Sequence, residues 1–169
     1  WWLIELAVVI ALIMGVRAWS HLSLVSGEAP AFEAEMIGGE SVQLMDYRGE
    51  PVLLYFWMPD CVSCRLQRSS ISTLAKNYSV LTIVSAEDET VIQKYMTENE
   101  MSDWPTIVDK SGDLHRMYGV MAAPTLYIID GEGLVRFKEV GITSSWGLQL
   151  RLWLAGAGSR IAEETSPEK

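Results

Sequence analysis

The sequence predicts an α/β fold, a central mixed sheet flanked by helices, and three observations carry that prediction. Apolar runs of strand length alternate with segments of helical period between Ala31 and Ala155. A glycine-bracketed turn, Gly131-Glu132-Gly133, joins the last two runs as a hairpin and adds an antiparallel edge. The only two cysteines among the 169 residues, Cys61 and Cys64, stand where a long apolar run ends and a helical segment begins.

Residues Trp1 to Trp19 are apolar apart from Glu5 and Arg17, with an uninterrupted stretch from Leu6 to Val16. A membrane-spanning helix needs roughly 20 mostly apolar residues. This segment reaches that length if Glu5 and Arg17 snorkel to the headgroups and the tryptophans sit at the interface. No small-x-small cleavage site follows, so residues 1–19 read as an uncleaved anchor rather than a signal peptide. Arg17 alone does not fix the direction of the anchor. Residues 20–30, with serines, Gly27 and Pro30 and no apolar period, read as a linker.

The expected domain spans residues 31–155. Ser41 to Met45 alternates weakly, and Arg48-Gly49-Glu50-Pro51 is a turn before a buried strand, Val52 to Trp57. Cys61 to Asn77 has helical spacing, with Leu66, Ile71, Leu74 and Tyr78 as its apolar positions. Val80 to Val84 is a second buried strand, and Glu87 to Asn99 a helix with an acidic first turn, as the dipole prefers. A short strand at Thr106 to Val108, a helical turn at Asp113 to Tyr118 and strands at Thr125 to Ile129 and Leu134 to Val140 follow. Ser145 to Ala155 is the last helix, whose Trp146, Leu150, Trp153 and Leu154 are expected to cover a face of the sheet. Residues 156–169 read as a flexible tail.

Composition narrows the function. Thirteen basic against twenty-two acidic residues give a net charge of -9, which argues against nucleic-acid binding. Two cysteines are too few for a disulfide framework, and a closed zinc site wants four ligands, which His21 and His115 are not spaced to complete. What the cysteines do offer is position. A CxxC at a strand-to-helix turn places the first thiol at a helix N-terminus, where free N–H groups and the dipole favour thiolate, the species that attacks disulfides. Parallel strands gather functional loops at their C-terminal ends, so the Trp57–Cys61 and Ser85–Asp88 turns are expected on one rim.

Phe56-Trp57, Cys61-x-x-Cys64 and Ala123-Pro124-Thr125 before a strand resemble the thioredoxin superfamily. The segments Ser41 to Gly49 and Trp104 to Asp109 resemble its membrane-anchored TlpA-like branch. Gly141 to Gly147 with Leu150-Arg151-Leu152-Trp153 is similar to the suppressor-of-copper-sensitivity D group. The matches cover about residues 30–155. The resemblance implies a thioredoxin-like fold and a thiol–disulfide oxidoreductase in which Cys61 attacks and Cys64 resolves the mixed disulfide. No cofactor is implied beyond the Cys61–Cys64 redox pair, and no metal. Pro124 matches the family's cis-proline, which offers backbone to a substrate strand; Ala123 keeps that groove open, and Trp57 packs the core while shielding the thiols. Protein thiols and disulfides are the implied substrates, with an electron donor or acceptor in the membrane. The implied location is a single pass through a bacterial inner membrane with the domain in the periplasm, serving copper-stress defence or thiol maintenance.

Several residues depart from the family pattern. Asp60 replaces the usual aromatic before the nucleophile, and its carboxylate disfavours a second negative charge beside it. Tyr55 stands in place of thioredoxin's buried acid, and Gln67 in place of a glutamate carried by several TlpA-like reductases. Both usual proton acceptors for Cys64 are thus missing. Glu87 or Asp88 could substitute, although they fit the start of a helix better. Val62-Ser63 leaves the redox poise open. The alternative function is a Cu(I)-binding module, since two thiolates suit that ion, but a third ligand is not evident in the sequence.

Overall fold

A computed structural model of the chain describes residues 23–164 together with residues 1, 2, 4–10, 12 and 15. The expected anchor and the start of the linker therefore fall partly on residues outside the described ones, as does the end of the expected tail. Among the described residues no helix is long and apolar enough to cross a membrane.

Thirteen elements follow Leu24. They are β1 (Gly27–Glu28), β2 (Glu33–Glu35), β3 (Ser41–Gln43), a 3-10 turn (Leu44–Tyr47), β4 (Val52–Trp57), α1 (Val62–Leu74), β5 (Ser79–Val84), α2 (Glu89–Glu98), β6 (Thr106–Val108), α3 (Asp113–Met117), β7 (Thr125–Ile129), β8 (Leu134–Val140) and α4 (Ser145–Glu164). The main sheet has the order β1-β8-β7-β4-β5-β6, and β2 and β3 form a separate antiparallel ribbon. β4, β5 and β6 run parallel, whereas β7 is antiparallel to β4 and β8 to β7. This is the thioredoxin-like arrangement of a mixed sheet between helices.

The central strands explain their own sequences. All six residues of β4 are buried, because the sheet is covered on both faces, and a doubly covered strand reads as an unbroken apolar run. Alternation sends Leu53, Tyr55 and Trp57 to one core with Ile71, Leu74, Leu148 and Leu152. Val52, Leu54 and Phe56 point into the other core with Phe32, Leu114, Tyr118 and Tyr127.

On α1 the expected Ile71 and Leu74 are buried but Leu66 is not, and α4 buries a face other than the one expected. On α1 the inward positions are Cys64, Gln67, Ile71 and Leu74, while Leu66 is 64 % exposed. Leu66 follows Cys64 by two residues, about 200° around the helix, so it faces away whatever its hydropathy. On α4 the sheet is covered by Leu148, Leu152 and Ala155, whereas Trp146, Leu150, Trp153 and Leu154 all face solvent, Trp146 at 70 % and Trp153 at 60 %. Each set has helical spacing, so periodicity alone could not choose between them. Arg151 fixes the rotation: its guanidinium pairs with Glu139 on β8 at 2.9 Å and lies over the Phe137 ring.

The second half of the expected linker belongs to the sheet. Gly27 and Glu28 pair with Val135 and Leu134, and Leu24 and Ala29 are buried. Gly119 is needed there for two reasons. Its φ is +68°, and a Cβ on it would stand 1.8 Å from the Ser23 carbonyl oxygen.

Candidate active site

The C-terminal ends of β4 and β5 put the Trp57–Cys61 and Ser85–Asp88 turns on the same rim. Cys61 is the N-cap of α1, with extended backbone, and its sulfur accepts a hydrogen bond from the Cys64 N–H at 3.2 Å. A cysteine sulfur thus takes the place that Ser, Thr or Asp commonly fills at a helix start, and the helix has no acidic residue in its first turn to compete with it. The same sulfur lies 3.4 Å from the carbonyl oxygen of Ala123, to which its S–H donates. Both cysteines are free thiols in this structure; Cys61 is half-buried and Cys64 buried.

Ala123 and Pro124 meet Cys61 from the loop before β7. The Ala123–Pro124 bond is cis. Thr125 steadies the loop by donating its hydroxyl to the Ala122 carbonyl at 2.7 Å. The Gly141 N–H donates to the Pro124 carbonyl at 2.8 Å, so the end of β8 is tied to the same loop. Cys61, Cys64, Ala123 and Pro124 therefore converge as the sequence places them. Trp57 does not join them at the surface. It is 2 % exposed and packs edge-on to Trp104 and obliquely on Tyr95 beneath the thiols, so it packs the core under Cys61 and Cys64 and offers a substrate almost no surface.

Cys64 has a different environment from Cys61. Burial, followed by its hydrogen bond with Cys61, pushes its thiol up to about 12. Tyr55 donates its hydroxyl to the Cys64 carbonyl at 3.3 Å. Burial, and then the neighbouring Cys64, drives the Tyr55 phenol far above its ordinary value, so it holds its proton and cannot take one from the thiol. Asp88 is the N-cap of α2 and accepts from the Thr90 N–H at 2.8 Å, bonds that hold its carboxyl below the usual range. Its helix-starting role is therefore met, and Glu87 beside it is exposed. Asp60 is exposed as well, where water screens it.

Gln67 was noted in the sequence as a missing proton acceptor, but its burial and its partner were not foreseen. It is fully buried one turn beyond Cys64, and its side-chain amide is engaged entirely by the backbone of Thr143. The partner, a main-chain group far along the chain, left no signal in the sequence. For the Cu(I) alternative, no group of three His, Cys, Asp or Glu side chains converges among the described residues.

A mixed sheet with a CxxC at the head of its first central helix, facing a cis-proline loop, defines a thioredoxin-like protein. The chain belongs to the AhpC/TSA family, whose pattern matches residues 25–138. It is 29% identical to the thioredoxin-like protein YneN of Bacillus subtilis across 74% of this chain and 76% of that one. To the thiol:disulfide interchange protein DsbE of Pseudomonas fluorescens biotype C it is 28% identical across 98% of each. Among solved structures it resembles the exposed lipoprotein thioredoxin Etrx1 of Streptococcus pneumoniae, with a TM-score of 0.68, 29% identity, and coverage of 74% of this chain and 99% of that one.

Proposed function

We propose that this chain is a thiol–disulfide oxidoreductase that acts on protein thiols and disulfides through Cys61 and Cys64, tethered to a bacterial inner membrane and working in the periplasm. The oxidoreductase class rests on relatives named for that activity, including ResA and DsbE proteins. The observation that carries the mechanism is the Cys61 sulfur itself, half-exposed, capping α1 and bonded by the Cys64 N–H. A thiolate there gains both the N–H and the helix dipole.

The steps follow from the two environments. Cys61 as thiolate attacks one sulfur of a substrate disulfide; a Cys61–substrate disulfide forms, the substrate bond breaks, and the other substrate cysteine leaves as thiolate. Cys64 then loses its proton to solvent and attacks the Cys61 sulfur. The Cys61–Cys64 disulfide forms and the second substrate thiolate leaves. Two electrons pass to the substrate, and the reverse sequence oxidises a substrate dithiol. Ala123 and Pro124 supply the backbone edge beside which the substrate strand lies. The chemistry calls on no cofactor beyond the cysteine pair.

The finer reading is of a protein like the suppressor-of-copper-sensitivity D group. Residues 1–19 are its anchor, a membrane protein is its electron donor or acceptor, and copper-stress defence or extracytoplasmic thiol maintenance is its role. It is supported by the motifs at Gly141 to Gly147 and Leu150 to Trp153 and by the apolar N-terminal run. Redox titration of residues 23–169 against glutathione tests the activity. A potential near about -270 mV makes it a reductase, and one near about -120 to -180 mV an oxidant or isomerase. If Cys61 and Cys64 never form a disulfide, the redox reading is lost. Unchanged copper tolerance in a host lacking the protein removes the copper role.

A further inference from the structure

Gln67 is an uncharged polar side chain with no access to solvent, one helical turn past the resolving cysteine. Its Nε2 donates to the Thr143 carbonyl at 2.8 Å, and its Oε1 accepts from the Thr143 N–H at 2.7 Å. Both halves of the amide are spent on one backbone residue, 76 positions away and two residues past Gly141. Gly141 in turn donates to Pro124, and Ala123 accepts from the Cys61 thiol. The links close a circuit that runs from Cys61 along α1 to Gln67, across to Thr143, back through Gly141 to Pro124 and Ala123, and again to Cys61.

We infer that Gln67 is a positioning residue for the redox site, holding the loop after β8 against α1 and through it the cis-proline loop against Cys61. The inference rests on the oxidoreductase reading and adds to it the group that sets the spacing between the attacking sulfur and the strand edge a substrate would use. An amide suits the task because Thr143 needs a donor and an acceptor from the same side chain. A leucine would take that partner from both backbone groups of half-buried Thr143. A carboxylate would set its charge against the Thr143 carbonyl at a side-chain position closed to solvent. A protonated carboxylic acid, however, donates through its O–H and accepts through its C=O, and so reproduces the amide.

That chemistry supplies a test. The attack of Cys61 on glutathione disulfide, which forms a Cys61–glutathione disulfide and releases one glutathione thiolate, is followed by stopped flow from pH 4.5 to 8.5 in wild type, Gln67→Glu and Gln67→Met (pH limits roughly bracketing carboxyl titration). The Gln67→Glu rate divided by the wild-type rate is expected near one at the acid end and lower by about tenfold or more once the carboxyl ionises, since misplacement of reacting groups costs at least that much. Gln67→Met, which keeps the volume, is expected to lose about the same factor at every pH. Thermal melts establish that each variant is folded over the range compared. A flat Gln67→Glu ratio overturns the inference, as does a folded Gln67→Met that attacks at the wild-type rate. If Gln67→Glu unfolds when ionised, Gln67→Met decides alone. A wild-type protein that does not attack glutathione disulfide at all would instead overturn the oxidoreductase reading.

Discussion

Cys61 and Cys64 stand three residues apart at the start of one helix, and their surroundings differ in nearly every respect. Cys61 is half-exposed, caps the helix and faces a backbone carbonyl across the groove. Cys64 is buried beneath it, against Tyr55, Trp57 and Trp104, with its thiol pushed up to about 12 by burial. A single turn of helix is enough to separate a half-exposed sulfur from one whose proton burial holds back. The difference teaches that the proposed order of events, attack first and resolution second, follows from depth and not from sequence order alone.

The largest expected effect breaks the pair directly. Cys61→Ser should abolish disulfide exchange, a loss of about 10³-fold or more given the poor nucleophilicity of a hydroxyl. Cys64→Ser should still attack but accumulate a mixed disulfide at Cys61, visible by mass spectrometry. Equal loss without an adduct in the second variant would remove the division of labour.

Resolution should also depend steeply on pH. With the Cys64 thiol near 12, its thiolate fraction, and hence the rate of release from the mixed disulfide, rises about tenfold per pH unit through the neutral and mildly alkaline range. Quenched-flow measurements that give a flat profile would mean that a base sits beside Cys64 after all.

Stability sharpens the same comparison more gently. Cys64 holds its proton in the folded dithiol well above the ordinary cysteine value of about 8.5. The unfolded chain therefore ionises first. Stability from this group is complete below about pH 8.5 and is lost progressively as pH rises towards 12. The melting temperature of the dithiol protein should fall across that window more steeply than that of Cys64→Ala. Parallel curves for the two would show that burial of Cys64 does not carry the effect.

The smallest effects belong to the neighbours. Tyr55→Phe removes the hydroxyl bonded to the Cys64 carbonyl and should cost about 1 kcal/mol in denaturant unfolding, with less than about a twofold change in exchange. Asp60→Ala should speed attack by Cys61 by less than about fivefold at low salt and hardly at all at high salt, because an exposed charge is screened. A slower variant would reverse the sign assigned to that carboxylate.

How much of this could be read from the chain depended on what each residue faces. Val52 to Trp57 and Val80 to Val84 were legible because strands covered on both sides are nearly all apolar, with Thr82 satisfied by the Thr106 hydroxyl. The cysteine pair and Pro124 were legible as motifs. The orientation of α4 was not, since Trp146 and Trp153 repeat as regularly as Leu148 and Leu152, and the helix is turned by an Arg151–Glu139 pair that no periodicity contains. Gly27–Glu28 is too short a strand to show alternation. Gln67 was hidden for another reason. Its place after the cysteines was noted, but only the backbone of Thr143, far along the chain, makes its burial favourable.

The seam at the front of the domain has its own consequence. Leu24 is buried, its carbonyl accepts from the Lys138 ammonium at 3.0 Å, and Val25 and Ser26 are hydrogen-bonded to the domain as well, beside the close approach of Ser23 to Gly119. Whatever precedes Leu24 departs from a fastened point rather than a swivel. With residues 1–19 in a bilayer, as proposed, the five steps from residue 19 to residue 24 make a leash of at most about 18 Å. The reactive sulfur would then patrol a thin layer of space next to the lipid, and only partners that come to that layer would meet it.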